Sequence, residues 1–149
     1  MNIIRFLIPK NSTTFLEENN TLRQGLEKMI HYGFSAIPVI SREGKYIGTV
    51  REGDFLQKIL DSQGFDLKHF EKIYIKDIVK EGWNLPVQII STEMEVMDRI
   101  KKQNFVPVID DRGIFVGIIT RKDIIQYFCD TYLGDIGKEI RQIIDKGDS

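Results

Sequence analysis

The chain has a single cysteine and almost no excess of charge. Cys129 cannot form an internal disulfide bond, which favours a reducing compartment. Lysine and arginine together number 21 against 22 acidic residues, so the net charge is −1. Proteins that bind nucleic acids or membrane surfaces broadly usually carry a basic excess or a basic face. The composition therefore excludes a general polyanion binder, and any anion-binding site must be local.

Long apolar runs are also missing. The N-terminal segment is apolar for only a few residues before Pro9, and no stretch approaches the roughly 18 apolar residues of a membrane-spanning helix. An apolar fraction of 42% and a charged fraction of 29% are typical of a globular domain. A chain of 149 residues can build one core without disulfides or metal ions. We expect a cytoplasmic protein with a short N-terminal helix.

Motifs for catalysis or metal binding are absent from the sequence. The two histidines, His31 and His69, are far apart and have no metal-ligand spacing with cysteine. Neither a P-loop nor a Gly-x-Ser-x-Gly nucleophile motif occurs, and Cys129 has no evident base beside it. The sequence therefore predicts no catalytic residue, no metal site and no cofactor, and it favours a protein that is not an enzyme.

An internal repeat organises the chain. Residues 37–56 align with residues 106–125 without a gap. The identical positions are Pro38/Pro107, Val39/Val108, Ile40/Ile109, Gly44/Gly113, Gly48/Gly117 and Asp54/Asp123. Chance alone would give about one identity over such a window. The protein therefore contains two copies of one structural unit.

Each copy shows the same predicted order of elements. A short apolar strand runs into a polar turn, where Gly44 and Gly113 can adopt positive φ. A second strand rich in β-branched and aromatic residues follows, and then a helix with apolar residues at helical spacing. Another amphipathic helix precedes each copy; Met94 in the second of these is expected to fill the core. A further amphipathic helix is predicted in the tail, with one apolar side formed by Ile136, Ile140, Ile143 and Ile144.

This pattern, with a Gly-x-x-Thr-x-x-Asp motif opening the last helix, resembles the CBS motif, and two tandem copies resemble a CBS pair or Bateman module. The resemblance implies an α+β, sandwich-like fold of two β-α-β-β-α units related by pseudo-two-fold symmetry. It places the first motif with its N-terminal helix at 1–60 and a connector at 61–76. The second motif falls at 77–130 and a C-terminal helix at 131–149.

A narrower resemblance concerns the segments HYGFSAIPV, FEKIYIKDIVKEGW and GIITRKD. They are similar to small stand-alone CBS proteins of the DarB/CbpB kind, which are bacterial receptors for cyclic di-AMP. The resemblance implies a non-enzymatic regulatory module that binds an adenine nucleotide, forms a homodimer and controls a partner protein. Cyclic di-AMP is the favoured ligand; a sensor of AMP, ADP or ATP and a ligand-free dimeric scaffold are the alternatives.

The TRKD stretch, residues 120–123, has two interpretations. As a capping box, Thr120 would satisfy an N–H group at the helix start, and Asp123 would favour its positive end. As an anion site, the same helix start would combine the Thr120 hydroxyl with the cations Arg121 and Lys122. The family resemblance implies that Thr120 contacts phosphate and that Asp123 accepts hydrogen bonds from ribose hydroxyls.

The corresponding stretch in the first copy, residues 51–54, reads REGD. Asp54 remains available for ribose, but Arg51 replaces the threonine and Glu52 adds a negative charge. The sequence therefore predicts two unequal clefts, of which the TRKD cleft is the main anionic site.

The resemblance also implies which segments wall each cleft. The remaining residues of the TRKD cleft are Ser12, Thr13, Thr14, Leu16, Phe34, Ser35, Ala36 and Ile37. Phe34 could flank an adenine or belong to the core, and a core position is also open for Ile37. The weaker cleft would join Asp54 and Arg51 to Gln88, Ile89, Asn104, Phe105 and Val106.

Overall fold

The two sequence copies form two β-sheets in the computed structural model, which describes residues 2–62 and 66–147. The α-helices are α1 (Leu22–Tyr32), α2 (Glu52–Asp61), α3 (Leu67–Phe70), α4 (Glu93–Ile100), α5 (Arg121–Phe128) and α6 (Gly134–Gly147). The strands are β1 (Ile8–Pro9), β2 (Leu16–Glu17), β3 (Ala36–Ile40), β4 (Tyr46–Arg51), β5 (Val87–Gln88), β6 (Phe105–Ile109) and β7 (Phe115–Thr120). The predicted α+β fold of two β-α-β-β-α units is confirmed, as β2-α1-β3-β4-α2 and β5-α4-β6-β7-α5.

Each sheet is organised around a hairpin. The order is β2-β3-β4 in one sheet and β1-β7-β6-β5 in the other. The hairpins β3-β4 and β6-β7 are antiparallel, whereas β2 and β5 each add a parallel edge strand. Gly44 and Gly113 adopt φ values of 89° and 82° in the two hairpin turns, as predicted. The repeated sequence therefore produces the same strand arrangement twice.

The segments that precede the two hairpins cross from one sheet to the other. In the N-terminal segment, β1 pairs with β7 of the second copy, whereas β2 pairs with β3 of the first. In the connector, which is extended here to residues 66–92 between α2 and α4, Lys80 forms a bridge to Thr49 of the first copy, whereas β5 pairs with β6 of the second. Each crossing segment therefore lies beside the place where the two copies meet.

Two apolar cores stabilise the two halves. The first gathers side chains such as Leu22, Val50 and Phe55 from the first copy, together with Ile75 from the connector. The second is formed by residues of the second copy and by Ile3 from an N-terminal 3-10 helix, Ile3–Phe6. Burial of apolar surface stabilises a folded chain by roughly 25 cal/mol per Å². Both crossing segments are therefore held in place by packing as well as by strand pairing.

Some predicted apolar positions lie at the surface. Met94 is 72% exposed, so the expectation that it fills the core is wrong: α4 directs Val96 and Ile100 inward instead. In α6, Ile136, Ile143 and Ile144 are exposed. The side chain of Ile140 lies outside the described part of the structure, as do residues 63–65 of the predicted connector and residues 148–149 of the predicted C-terminal helix. Within residues 2–62 and 66–147, no helix has the length and apolarity needed to cross a membrane.

Replacement of Gly117 by alanine tests the pairing of β1 with β7. A Cβ atom at Gly117 would overlap the Ile8 carbonyl oxygen, so Gly117→Ala is expected to lower the free energy of unfolding by about 2 kcal/mol. Gly53 in α2 has open space around it, and Gly53→Ala is expected to raise the free energy of unfolding by up to about 1 kcal/mol. Denaturant unfolding measures both. A Gly117→Ala chain as stable as the wild type would contradict the close approach of β1.

Candidate functional site

A cavity of about 370 Å³ opens where the two copies meet. Its lining combines hydroxyl groups with apolar side chains and comes from three parts of the chain. The residues are Ile8, Ser12, Thr13, Thr14, Phe34, Ser35, Ala36, Pro38, Asn104, Phe105, Ile118 and Thr120. This size and this mixture of apolar walls with a few polar groups are typical of small-molecule sites.

Strand register explains how these residues come together. In the β6-β7 hairpin, Phe105 lies opposite Thr120, and Pro107 lies opposite Ile118. In the first copy, the backbone N–H of Glu52 donates to the Ser35 carbonyl at 3.1 Å, which ties the start of α2 to the loop before β3. The crossing N-terminal segment, with Ser12 at the end of a 3-10 helix, covers the remaining side. The cavity therefore depends on both copies and on the segment between the sheets.

Most of the residues predicted for the TRKD cleft line this cavity. Ser12, Thr13, Thr14, Phe34, Ser35, Ala36 and Thr120 all do so. Leu16 and Ile37 do not: they are 1% and 0% exposed and belong to the first core, because β2 and β3 turn these side chains away from the cavity. The sequence prediction is corrected for Leu16, and for Ile37 the core interpretation holds.

Most of the residues predicted for the weaker cleft lie elsewhere in the structure. Asn104 and Phe105 line the Thr120 cavity, because β6 pairs with β7 of the same copy and brings them beside Thr120. Val106 is 0% exposed in the second core, since its side chain points to the opposite face of β6. Gln88 is exposed on the edge strand β5, and Ile89 packs against the second core. None of these residues is among those that surround Asp54.

The start of α5 confirms the capping interpretation of Thr120. Its Oγ1 accepts a hydrogen bond from the Asp123 N–H at 3.1 Å. The Arg121 guanidinium Nε donates to the Ile100 carbonyl at 2.9 Å, at the end of α4. Lys122 is exposed, and the Asp123 carboxylate has no hydrogen-bond or ion-pair partner among the described residues. Arg121, Lys122 and Asp123 therefore lie beyond the cavity lining, in the first turn of α5, where Thr120 caps the Asp123 N–H.

The start of α2 uses its aspartate differently. The Arg51 N–H donates to Asp54 Oδ2 at 2.8 Å, so Asp54 itself caps the helix. Asp54 is only 5% exposed, and its Oδ1 lies 3.6 Å from Arg51 Nη2 and 3.5 Å from Lys80 Nζ. The prediction that Asp54 remains available for a ribose is therefore corrected: its oxygens already have partners in the Arg51 N–H, the Arg51 guanidinium and the Lys80 ammonium.

The sequence did not predict some residues of the cavity and some residues at the start of α2. In the cavity these are Ile8, Pro38 and Ile118. The strands β3 and β7, which carry Pro38 and Ile118, were both predicted from the repeat. The sequence did not show which face of each strand points into the cavity. In the first copy the missed residues belong to the connector: Lys80 contacts Asp54, Trp83 contacts Arg51, and Asn84 contacts Thr49. Their role depends on the crossing of the connector, which has no local sequence signal.

The described residues form no metal-binding cluster. Within residues 2–62 and 66–147, no group of three or more histidine, cysteine, aspartate or glutamate side chains is arranged to hold a metal ion. The paired Asp110 and Asp111 lie in the second hairpin turn, where Asp110 Oδ1 accepts hydrogen bonds from the N–H groups of Arg112 and Ile114, both at 2.9 Å. These hydrogen bonds lower the pKa of Asp110, and the bond from Ile114 has the largest effect. Asp110 therefore has a structural role in the turn.

The chain belongs to the CBS domain family. The family model matches residues 8–61 and 90–130, well over half of the chain. Both matched segments contain a complete hairpin and the helix that follows it. The family resemblance predicted from the repeat is thus confirmed.

Solved structures of CbpB proteins are similar to this chain. A crystal structure of CbpB in complex with c-di-AMP has a TM-score of 0.82 and 28% sequence identity, over 93% of this chain and 91% of that chain. CbpB from Streptococcus agalactiae has a TM-score of 0.77 and 29% identity, over 91% of this chain and 84% of that chain. The similarity therefore extends over almost the full chain in both proteins.

Two curated relatives are longer than this chain. An uncharacterized protein of Methanopyrus kandleri is 29% identical over 104 residues, which are 66% of this chain and 49% of that protein. Homoserine O-acetyltransferase of Methanococcus vannielii is 22% identical over 122 residues, 82% of this chain and 24% of that protein. This chain thus spans half or less of the length of these two relatives.

Tyr46 connects the first hairpin to the connector, and its burial makes the stability of the fold depend on pH. Its hydroxyl donates to the Asn84 carbonyl at 2.8 Å and lies 2.8 Å from Thr49 Oγ1. Burial raises the pKa of Tyr46 to about 12, although these two hydrogen bonds lower it. An unfolded tyrosine has a pKa near 10. Since the folded state holds the proton more tightly, Tyr46 should stabilise the fold fully below about pH 10 and lose this contribution as the pH rises towards about 12.

Denaturant unfolding between these pH values measures this effect. In Tyr46→Phe, the part of the alkaline loss that belongs to Tyr46 should disappear. Tyr74→Phe is the matched control, because Tyr74 is 40% exposed. The same alkaline loss of stability in the wild type and in Tyr46→Phe would contradict the burial of the neutral phenol.

Proposed function

We propose that this protein is a non-enzymatic regulatory module that binds an adenine nucleotide, cyclic di-AMP in the first place, in the cavity beside Thr120. The observation that carries the proposal is the cavity itself, which joins the start of α5 to hydroxyl groups of the crossing N-terminal segment. Through this nucleotide the module would control a partner protein. Different parts of the cavity suit the base, the phosphate and the ribose.

The apolar part of the cavity suits a base. Ile8, Pro38 and Ile118 contribute aliphatic surface. Phe34 is 44% exposed and stacks on Tyr32 with ring centroids 5.9 Å apart and planes inclined by 12°. A ring held in this way can contact an adenine with little loss of side-chain entropy. Backbone groups near Thr14 and Ala36 could then form hydrogen bonds with the edge of the base.

The helix start suits phosphate and ribose. The N-terminus of α5 provides the positive end of the helix dipole, although the N–H groups of Arg121 and Asp123 already donate to the Asn104 carbonyl and to Thr120 Oγ1. Lys122 and Arg121 lie at this end, and movement of the Arg121 side chain away from the Ile100 carbonyl would add a bidentate donor. Asp123, whose carboxylate has no partner among the described residues, could accept hydrogen bonds from ribose hydroxyls. The polar groups of a nucleotide thus find partners in a protein of net charge −1.

The choice of nucleotide follows from similarity. CbpB was crystallised in complex with c-di-AMP, and that chain and this one are 28% identical over most of their length. A cavity of about 370 Å³ also suits AMP, ADP or ATP, which remain the second candidates. Calorimetric titration with each nucleotide distinguishes these ligands. An absence of binding by all of them at millimolar concentration would refute the proposal and leave the ligand-free scaffold as the alternative.

Replacement of Thr120 by alanine tests the site directly. Loss of the hydroxyl is expected to weaken nucleotide binding about tenfold, because one partner of a buried polar contact is removed. Thr120 also caps α5, so Thr92→Ala is the matched control: Thr92 makes the same capping bond in α4, to the Glu95 N–H at 3.3 Å, outside the cavity. Calorimetry measures both affinities. Equal losses in the two variants would assign Thr120 to capping alone.

We also infer that the protein pairs with a second copy through the helices α1 and α2. A groove of about 310 Å³ between them is lined mainly by apolar residues, with Glu52 as its one charged residue. Ile30 and Leu56 at this groove are 79% and 56% exposed, and Leu60 of α2 is 66% exposed. Contiguous apolar surface of this kind marks interaction sites in proteins. A homodimer would bury it, in agreement with the pairing that the family resemblance implies.

A charge in the groove should separate such a dimer. Leu56→Lys is expected to convert the protein to a monomer in sedimentation analysis, because the interface would have to desolvate the lysine head together with Glu52, which also lines the groove. Leu67→Lys is the matched control, since Leu67 is 53% exposed on α3 and does not line the groove. A dimer that persists in Leu56→Lys would place the interface elsewhere.

A further inference from the structure

The connector and the N-terminal segment occupy equivalent positions between the two sheets. The N-terminal segment pairs at Ile8 with β7 and at Leu16 with β3. The connector bridges from Lys80 to β4 and pairs at Val87 with β6. In the first crossing, Ser12, Thr13 and Thr14 line an open cavity. In the second, the stretch 80–84 takes the place of this wall, and the side chains of Lys80 and Trp83 extend from it to the start of α2.

Trp83 contacts the residue that replaces Thr120 in the first copy. Arg51 precedes α2 as Thr120 precedes α5. The Arg51 guanidinium carbon lies 4.0 Å from the centroid of the Trp83 ring, within the range of a close cation–π contact. The indole therefore lies over the cation that an anionic ligand would need at this helix start.

Asn84 satisfies the polar groups deeper in the same cleft. It is 6% exposed and has a φ of 57°, in the left-handed region that asparagine adopts more readily than most residues. Its Nδ2 donates to Thr49 Oγ1 at 3.0 Å, and its carbonyl accepts from the Tyr46 hydroxyl at 2.8 Å. Thr49 is 1% exposed. Polar atoms that could otherwise bind a ligand are thus paired within the chain.

Lys80 completes the arrangement. Its Nζ lies 3.5 Å from Asp54 Oδ1, and the same oxygen lies 3.6 Å from Arg51 Nη2. The carboxylate that corresponds to Asp123 is therefore shared between two cations and the Arg51 N–H. All three groups that could recognise a nucleotide in this cleft, a cation, a carboxylate and a hydroxyl, already have partners from the connector or from each other.

We propose that residues 80–84, the connector plug, are a built-in occupant of the first-copy cleft and limit the chain to one nucleotide. The cleft beneath the plug is a latent second site for an adenine nucleotide. The ligand class rests on the proposed function, whereas the closure of the cleft does not. The bulk of Trp83 and the side-chain amide of Asn84 are the two features that exclude a ligand.

Removal of these two side chains tests the latent site. The variant Trp83→Ala/Asn84→Gly keeps a residue that tolerates positive φ at position 84, so the backbone is not strained. In calorimetric titration with cyclic di-AMP and with AMP, the wild type should bind one nucleotide per chain and the variant two. Affinity at the Thr120 cavity should stay within about twofold, because neither Trp83 nor Asn84 lines it.

The matched control is Tyr74→Ala. Tyr74 is another connector aromatic with a cation–π contact, to Lys76 at 5.3 Å, away from both clefts. This variant should bind one nucleotide per chain. Two nucleotides per wild-type chain, or one per chain in a Trp83→Ala/Asn84→Gly variant whose circular dichroism matches the wild type, would overturn the inference.

Fluorescence tests the closure without any nucleotide. Trp83 is the single tryptophan of the chain, so quenching by acrylamide reports on its contact with Arg51. The quenching constant should be several-fold higher in Arg51→Ala than in the wild type. Equal constants would show that the plug is open, whatever the outcome of the titrations. If the wild type binds no nucleotide but its indole is protected, the proposed function fails and the plug stands.

Discussion

Two backbone hydrogen bonds between the hairpins hold the two copies in register. The Tyr46 N–H donates to the Gly113 carbonyl at 3.1 Å, and the Phe115 N–H donates to the Gly44 carbonyl at 2.9 Å. Both bonds depend on turns in which these glycines adopt positive φ, a conformation that side chains disfavour. The rings of Tyr46 and Phe115 stack beside them, with centroids 6.3 Å apart. Because the clefts lie between the copies, their shape depends on this contact.

The same backbone frame carries different chemistry on its two sides. Where Thr120 caps α5 with a hydroxyl, the Asp123 carboxylate is left without a partner among the described residues. Where Arg51 stands at the equivalent position, Asp54 accepts from the Arg51 N–H, contacts two cations and is buried. The two helix starts therefore differ in whether the aspartate carboxylate has partners among the described residues. Buried polar groups must be paired, so this difference extends into the connector that packs against Arg51.

The features predicted well from the sequence are the local and the repeated ones. The hairpin turns at Gly44 and Gly113, the cap at Thr120 and the family follow from residue type and spacing, which act over a few positions. The cavity residues were predicted less completely. Leu16 and Ile37 lie in adjacent strands, and which side of a strand faces the cavity depends on register, which a short strand does not reveal. Phe105 was assigned to the wrong cleft because its neighbour Thr120 comes from hairpin pairing.

Residue order alone thus established two CBS units, the unequal loops TRKD and REGD, and the expectation of one main anionic site, because repeats and helix caps are encoded in neighbouring residues. Tertiary structure decided that two crossing segments line the clefts, one leaving a cavity and the other placing Trp83 and Asn84 against Arg51 and Thr49. Contacts of this kind join residues more than 30 positions apart, as between Asn84 and Thr49. They form only when both cores pack, and no local pattern encodes them.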